Sequence, residues 1–286
     1  RLMGNRDIWD PHGRSNFISR MNQKFYAYAA AHEHFYINDI DYLSADYGLT
    51  AWGDAFFWHM YKYAMCLDAI PSLANSVANI IKSLYGRNKK ALVLDLDNTL
   101  WGGIVGDDGV DGLAIGPEVP EGQVYAEFQS YCKALKSIGV ILAVDSKNDE
   151  ANALAGLNHP DGVLRPDDFV SIKANWEPKD RNLTDIAAEL NLGADSFVFA
   201  DDNPAERAIV AAQVPGVAVP ALDGAENYIK MLDHGGYFEV TALSKEDLKK
   251  TELYHQNAQR AKAQASFSDY GEYLDSLEMT ATIKDF

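Results

Sequence analysis

Two aspartates that follow an apolar stretch are the residues of this sequence best suited to chemistry. Asp95 and Asp97 stand in the run Asp95-Leu96-Asp97-Asn98-Thr99, directly after the aliphatic residues 91–94. A buried strand that ends there delivers two carboxylates into a polar loop, which costs free energy unless a cation or donors match the charges. Mg²⁺ suppresses the repulsion between a carboxylate and phosphate oxygens. We therefore predict a Mg²⁺ site, with Asp95 as nucleophile and metal ligand.

Asp97 is placed for proton transfer in the same loop. It is predicted to act as the general acid that protonates the leaving oxygen and then as the base that activates water. Its backbone carbonyl is a further predicted metal ligand. Thr99 is predicted to hold this loop through its hydroxyl and to contact the substrate.

The residues that would bind a phosphoryl group follow later in the chain. Ser146, after the apolar run 140–144, can hold a phosphoryl oxygen through its hydroxyl and neighbouring amides, and Lys147 and Asn148 are further candidates for substrate binding. Lys179, at the predicted start of a helix, can neutralise both the nucleophile and the phosphoryl group. Lys173 is a rival for that role.

Two adjacent aspartates complete the predicted metal site. Asp201 and Asp202 follow the apolar run 197–200. We expect Asp202 to bind the metal directly and Asp201 to act behind it or through water. Taken alone, Ser146 also fits a turn or a helix cap, and Lys179 also fits a solvated helix start. The Asp201-Asp202 pair alone also fits a helix cap before Pro204. The order of these elements in the sequence, with three of them directly after apolar runs, favours a phosphoryl-transfer site.

The central part of the chain alternates between predicted strands and helices. This pattern is typical of an α/β fold with a parallel sheet, helices on both faces, and ligands beyond the carboxyl ends of the strands. The polar clusters lie at those ends. The predicted strands are 91–95, 139–145, 168–172, 196–200 and 216–219, and the predicted helices are 121–138, 149–156, 179–191, 204–213 and 224–233.

The two ends of the chain carry no comparable polar clusters. Helices are predicted over 15–34 and 72–85, a short strand over 35–39, and mainly helix beyond 244. Residues 42–66 are rich in aromatic side chains, which predicts a packed core or domain interface, or alternatively a hydrophobic binding surface.

Composition narrows the possible partners. The chain has 286 residues, with 25 Lys and Arg against 42 Asp and Glu, and a net charge of −17. Such a charge argues against binding to nucleic acid or anionic membranes, but a local Mg²⁺ and a few lysines still allow a phosphorylated substrate. Cys66 and Cys132 form no metal-binding spacing, which predicts buried thiols in a reducing, cytoplasmic compartment. No apolar run approaches the ~20 residues of a membrane span.

Four segments together resemble the haloacid dehalogenase (HAD) superfamily, and more narrowly its FkbH-like, or HAD-IIIC, group. They are Leu94-Asp95-Leu96-Asp97-Asn98-Thr99-Leu100-Trp101-Gly102-Gly103, Ser146-Lys147-Asn148-Asp149, Asn175-Trp176-Glu177-Pro178-Lys179 and Val198-Phe199-Ala200-Asp201-Asp202-Asn203-Pro204-Ala205-Glu206-Arg207. The resemblance implies a Rossmann-like fold, Mg²⁺ and an aspartyl-phosphate intermediate. Some members are implicated in transferring a glyceryl unit from a phosphorylated glycerate to an acyl carrier protein, and others are classed as phosphatases.

The resemblance also suggests a domain organisation. Residues 1–88 resemble the C-terminal part of an SGNH-hydrolase-like α/β domain, 89–243 form the HAD-like core, and 244–286 lead as a helical tail or linker towards a further domain. Because the sequence begins at Arg1 without Met, we expect upstream sequence. Asp54 and His59 do not have the spacing of an SGNH catalytic pair.

The spacing between the motifs leaves no room for a large cap domain, so an open site is predicted. Closure would then fall to a macromolecular partner or a neighbouring domain, with residues 42–66 as a candidate. Asp145 departs from the family pattern, and its carboxylate is expected to weaken anion binding or to bind a substrate hydroxyl. The predicted activity is Mg²⁺-dependent hydrolysis of a phosphorylated small molecule, glycerate- or sugar-like, or transfer of its phosphoryl group. Glyceryl transfer to a carrier protein and a weakly active phospholigand-binding scaffold are the alternatives.

Overall fold

The computed structural model describes residues 1–245, 249, 252–254 and 256, in two compact units, Arg1–Gly86 and Arg87–Phe286. The tail assigned to 244–286, which the sequence predicts to be mainly helical, lies almost entirely outside the described residues. Every helix among the described residues is too short or too polar to cross a bilayer.

Among the described residues of the second unit, four parallel strands form one sheet: β1 (Ala91–Leu94), β2 (Ile141–Ser146), β3 (Ser171–Ala174) and β4 (Phe197–Ala200). Their order across the sheet is β3-β2-β1-β4. Ala91 is in register with Ile141 of β2 and with Phe197 of β4. This arrangement confirms the predicted Rossmann-like α/β fold.

Two predicted strands differ from the structure. Residues 216–219 form no strand, and only Ala218 makes a parallel bridge, to Val198 of β4. The flanking Pro215 and Pro220 have no backbone N–H to donate, and Gly216 has a left-handed φ of 99°, so a ladder cannot extend there. β3 starts later than predicted because Pro166–Asp168 forms a 3-10 helix.

Helices cover both faces of the sheet because side chains of each strand alternate between the faces. The helices that pack on the sheet are α7 (Pro120–Ser137), α8 (Glu150–Leu157), α9 (Lys179–Glu189), α10 (Pro204–Gln213) and α11 (Tyr228–Gly235). Leu92 and Leu94 pack with α7, α8 and α11, whereas Ala91 and Val93 pack with α9 and α10.

The connections between the strands are short. Between β1 and β2 lie the small helix α6 (Val105–Asp108), a 3-10 helix (Val110–Gly112) and α7, while α8 and a 3-10 helix (Pro166–Asp168) separate β2 from β3. Gly102 and Ala114 close the first connection by an antiparallel bridge. Neither connection contains a large cap domain, as the sequence predicted.

The first unit contains only helices among its elements, α1 (Arg14–Ala31), α2 (Ile40–Tyr47), α3 (Leu49–Trp52), α4 (Ala55–Tyr61) and α5 (Ile70–Leu84), with 3-10 helices at Gly4–Ile8 and Leu67–Ala69. The strand predicted over 35–39 is wrong, because this segment has no neighbouring strand with which to pair. The side chain of Asp54 caps α4 by accepting from the Phe57 amide at 3.0 Å. The SGNH-like assignment of residues 1–88 stays a prediction.

The aromatic stretch 42–66 is mostly exposed. Trp52 is buried, but Tyr42, Phe56, Trp58 and Tyr61 are exposed. The prediction of a packed core is therefore wrong for most of this stretch within its own unit. The alternatives, an interface or a hydrophobic binding surface, stay predictions.

Helix α8 packs closely against the loop that follows β1. This packing predicts that position 156 requires a glycine. A Cβ at Gly156 would lie 2.8 Å from the fully buried indole of Trp101. Overpacking costs about 1–3 kcal/mol, which exceeds the ~1 kcal/mol that alanine gains over glycine within a helix. We expect Gly156→Ala to lower the free energy of unfolding by about 1 kcal/mol, as measured by urea denaturation.

Gly106→Ala in α6 is the matched control, because the nearest contact of its added Cβ would be 3.7 Å away, at the amide nitrogen of Asn152. The control should be as stable as the wild type or slightly more stable. Equal stability of the two variants would contradict the packing argument.

Candidate active site

The predicted catalytic residues meet at the carboxyl end of the sheet. β1 and β4 are neighbours there, which places the residues after each strand side by side. A cavity of about 560 Å³ opens at this point, lined by residues that include Asp95, Asp97, Ser146, Lys179 and Asp202. The structure therefore brings together residues that are far apart in sequence.

Lys179 is the cation at the floor of this cavity. Its Nζ lies 3.0 Å from Asp95 Oδ2 and 2.5 Å from Asp201 Oδ2, and the side chain is only 3% exposed. Burial alone would lower the pKa of the Lys179 ammonium, but the two carboxylates outweigh burial and raise this pKa above its ordinary value. Lys173, the rival candidate, pairs instead with Glu189 and does not line the cavity.

Three carboxylates form a group that fits a divalent cation. Oxygens of Asp95, Asp201 and Asp202 all lie within 4.8 Å of one another. Asp95 Oδ1 is buried and has no hydrogen-bond partner among the described residues. Such crowded oxygen ligands suit a hard cation such as Mg²⁺, which would also offset their mutual repulsion.

The two aspartates after β4 differ in what they can offer a metal. Asp201 is fully buried, its Oδ1 accepts from the Asn203 amide at 2.8 Å, and its Oδ2 is paired with Lys179. Asp202 is half-buried and lines the cavity. This difference favours Asp202 as the direct ligand, with Asp201 holding Lys179 in place.

Asp97 lies outside the group of three carboxylates and is held by three donors. Its Oδ1 accepts from Trp101 Nε1 at 2.8 Å and from the Val105 amide at 3.0 Å, and its Oδ2 accepts from Asn148 Nδ2 at 2.9 Å. Burial raises the pKa of the Asp97 carboxyl and outweighs the lowering effect of these donors. A raised pKa suits a group that must carry a proton to a leaving oxygen.

The β1 loop has a fixed shape. Asn98 adopts a left-handed φ of 55°, its Oδ1 accepts from the Gly103 amide at 3.0 Å, and its carbonyl accepts from the Tyr228 hydroxyl at 3.1 Å. The Asp202 amide donates to the Thr99 hydroxyl at 3.2 Å, which joins the two loops. Thr99 is fully buried and does not line the cavity, so the predicted contact between Thr99 and substrate does not fit its position.

Arg207 stabilises the loop after β4, a role that the sequence did not reveal. Its guanidinium donates to the carbonyls of Asp201 and Asp202 at 2.7 and 2.6 Å. The side chain of Asn203 caps α10 by accepting from the Ala205 amide at 2.9 Å. These bonds fix the backbone that carries two of the three clustered carboxylates.

The candidates for substrate binding at the end of β2 and just after it, Ser146, Lys147 and Asn148, all line the cavity. Ser146 is 1% exposed, and its carbonyl accepts from the Asn175 amide at 3.1 Å. Lys147 forms an ion pair with Glu206 at 2.6 Å, so its charge is shared with a carboxylate. Their predicted contacts with substrate fit these positions and stay predictions.

Asp145 lies beneath the cavity and not in it. It is fully buried, and its Oδ1 accepts from Asn182 Nδ2 of α9 at 3.0 Å. Burial raises the pKa of this carboxyl to about 8. The expected contact between Asp145 and a substrate hydroxyl is therefore wrong, because no surface of the residue is accessible. The expected weakening of anion binding is small wherever the carboxyl is protonated.

The buried carboxyl of Asp145 predicts a pH-dependent loss of stability. An aspartate of the unfolded chain titrates near pH 4, whereas Asp145 in the fold keeps its proton up to about pH 8. Between these values the folded state binds more protons than the unfolded state, so rising pH destabilises the fold through this residue. Asp145→Asn keeps the shape without the ionisation. Its free energy of unfolding should rise relative to the wild type between about pH 5 and 8, by up to ~1.4 kcal/mol per pH unit.

Denaturant titrations at several pH values measure this difference. Asp185→Asn serves as the control, since it removes an exposed carboxylate from α9. A difference between Asp145→Asn and wild type that does not change with pH would refute the buried-acid explanation.

No protein-family model and no curated protein matches the chain. It is similar to the crystal structure of the N-terminal part of protein BF1531 from Bacteroides fragilis, which contains a phosphatase domain complexed with Mg. The sequence identity is 36% and the TM-score 0.81, and the match covers 85% of this chain and 65% of that one. The two chains share the Rossmann-like α/β fold.

Proposed function

We propose that this chain is a Mg²⁺-dependent phosphatase or phosphotransferase that acts on a phosphorylated small molecule through an aspartyl-phosphate intermediate on Asp95. The observation that carries the proposal is the group of Asp95, Asp201 and Asp202 within 4.8 Å, beside a cavity and a buried lysine. The similar Bacteroides fragilis structure contains a phosphatase domain complexed with Mg, which supports both the reaction and the metal.

In the first step, a carboxylate oxygen of Asp95 attacks phosphorus and the ester P–O bond breaks. Asp97 gives its proton to the leaving oxygen, so the alcohol leaves neutral. Lys179, 3.0 Å from Asp95, keeps its charge throughout and offsets the charge of the phosphoryl oxygens. Ser146 and the neighbouring amides would hold the phosphoryl group.

In the second step, water attacks the phosphorus of the aspartyl phosphate. Asp97, now a carboxylate, takes a proton from this water, and the bond from phosphorus to Asp95 breaks. Phosphate and the free Asp95 carboxylate result, and Asp97 is protonated again. The three donors to Asp97 keep its carboxyl in one place through both roles.

Asp95 and Asp202 would hold the metal, with the backbone carbonyl of Asp97 as a further proposed ligand and Asp201 behind them. When bound, Mg²⁺ supplies positive charge that lowers the repulsion between Asp95 and the phosphoryl oxygens.

The HAD superfamily, and its FkbH-like group, is the family that we propose for the chain. The four motifs occupy the loops after β1, β2 and β4 and the start of α9, and the similarity to a phosphatase domain supports this assignment. A cytoplasmic location remains a proposal from the cysteines, both of which are free thiols.

Glyceryl transfer to an acyl carrier protein is the second candidate. The short connections favour it, because a cavity without a large cap can admit the arm of a carrier protein. A mass gain on a phosphopantetheinylated carrier protein, in the presence of a phosphoglycerate, would support this reaction.

Replacement of the nucleophile provides the main test. With Mg²⁺ and an aryl phosphate, we expect Asp95→Asn to lower kcat/KM by at least ~10³-fold, because the covalent route is lost. The wild type quenched during turnover should carry one phosphoryl group on Asp95 by mass spectrometry, and the variant none. Asp202→Asn should weaken Mg²⁺ binding measured by calorimetry, and Asp185→Asn is the control for all three measurements. Equal rates for wild type and Asp95→Asn, or no turnover by either, would favour a phospholigand-binding scaffold.

The hydrogen bond from Trp101 to Asp97 gives a second test, based on the leaving group. Trp101→Phe keeps most of the buried volume and removes the 2.8 Å bond that positions the acid. Alkyl phosphates need leaving-group protonation more than aryl phosphates with acidic leaving groups. We therefore expect kcat/KM to fall roughly tenfold more for the alkyl than for the aryl substrate, a difference of about one hydrogen bond.

Phe128→Leu is the control, since it alters packing in the same core cluster as Trp101 without removing a donor. This variant should be less stable but keep the wild-type ratio of alkyl to aryl turnover. If Trp101→Phe also keeps the wild-type ratio of alkyl to aryl turnover, the indole N–H does not position Asp97 for catalysis.

A further inference from the structure

The cavity has a buried floor and an exposed rim. At the floor, Asp95, Ser146 and Lys179 are each less than 10% exposed, whereas at the rim Trp176 is 71% exposed and Asp149 is also exposed. A phosphoryl group that reaches Asp95 occupies the floor. The group esterified to it must therefore extend towards the rim, which makes the rim the part of the cavity that meets the leaving group.

Trp176 presents an aromatic surface at this rim. Its Nε1 donates to Asp149 Oδ1 at 2.9 Å, which tethers the ring although most of it is in contact with water. Among the described residues that line the cavity, it is the one aromatic side chain. Covering an exposed indole face with the C–H face of a ligand gains free energy in proportion to the apolar area removed from water.

The charges at the rim disfavour anionic leaving groups. Asp107 and Asp149 bring two exposed carboxylates to the rim, whereas the ammonium of Lys147 is paired with the mostly buried Glu206, 2.6 Å away. A divalent cation at the floor would offset the carboxylates there, but it would leave the rim negative. A carboxylate or a second phosphate on the leaving group would meet like charge.

The polar groups at the rim fit hydroxyls better than an ammonium ion. Hydroxyls both donate and accept, and the rim offers acceptors on Asp107 and Asp149, donors on Lys147, and both on the Asn152 amide. An ammonium ion requires acceptors alone and is bound most strongly among several aromatic faces. The rim has one such face and a mixture of donors and acceptors.

We propose that the rim around Trp176 is a leaving-group subsite for an uncharged, hydroxyl-rich ring, so that the substrate is a sugar phosphate. The C–H face of the sugar stacks on Trp176, while its hydroxyls bond to Asp107, Asp149 and Asn152. This inference rests on the proposed phosphatase function and selects the sugar over a glycerate as the phosphorylated unit.

Turnover of a matched panel tests the subsite. The panel with Mg²⁺ contains a hexose phosphate, a phosphoglycerate, phosphocholine, methyl phosphate and an aryl phosphate. The hexose phosphate should have a kcat/KM at least roughly tenfold above those of the phosphoglycerate and phosphocholine, a typical ratio for discrimination by one pocket contact. A preference for either charged leaving group would overturn the proposal.

Substitution of Trp176 separates a stacking role from a structural one. Trp176→Ala should lower kcat/KM for the hexose phosphate roughly tenfold or more, mainly through KM, and lower it less for methyl phosphate, which has no ring to stack. Trp176→Phe should recover most of the loss. Ile209→Ala is the control, because Ile209 is an exposed apolar residue of α10 that does not line the cavity. Equal losses for the two substrates in Trp176→Ala would overturn the stacking role.

A binding measurement distinguishes failure of the subsite from failure of the proposed reaction. Titration of Asp95→Asn with the hexose phosphate and Mg²⁺ should change tryptophan fluorescence, and the change should disappear when Trp176→Phe is added. Turnover of the aryl phosphate without a hexose preference would leave the phosphatase proposal intact and overturn the subsite. A fluorescence change without turnover of any ester by the wild type would retain the subsite and overturn the reaction. If neither a fluorescence change nor turnover is observed, both the subsite and the proposed reaction are overturned.

Discussion

The ion pairs of Lys179 hold the active site together. Its buried ammonium lies within 3.0 Å of Asp95 and 2.5 Å of Asp201, carboxylates that come from two neighbouring strands. Without this cation, the clustered carboxylates would be costly to bury. Lys179 is also the first residue of α9, where the helix dipole disfavours positive charge. The two carboxylates therefore outweigh this local penalty at the helix start.

The sheet fixes the relative positions of these charged groups. β1 and β4 run in register, so Asp95 and Asp201 follow adjacent strand ends, and the Asp95 amide donates to the Ala200 carbonyl at 2.9 Å. Around this frame, neutral and cationic donors fix each remaining loop. Trp101 and Asn148 hold Asp97, and Arg207 holds the carbonyls after β4. The catalytic groups thus stand on strand ends, a helix start and loops that hydrogen bonds hold in place, as efficient phosphoryl transfer requires.

Prediction from sequence succeeded where an apolar run ends at a polar residue that marks the end of a strand. Apolar runs that lead up to Asp95, Ser146 and Asp201 identified three of the four described sheet strands, because buried parallel strands are mostly apolar. It failed where pairing decides the structure. Residues 216–219 have a strand-like composition but are flanked by prolines, and residues 35–39 have no partner strand in their unit. The exposure of the aromatic stretch 42–66 likewise depends on what packs against it, which composition does not specify.

The sequence by itself determined the α/β fold, the short connections that leave no room for a large cap between the motifs, and the candidate residues of the site, since each follows from periodicity, spacing and residue type. Only the tertiary structure decided which contacts each of these residues makes and whether it faces the cavity. It paired Lys179 and not Lys173 with Asp95, turned Asp145 beneath the cavity, and buried Thr99 between two loops. It also placed Trp176 beside Asp149 at the rim. These outcomes depend on distances between side chains remote in sequence, and the packing of helices on the sheet sets those distances.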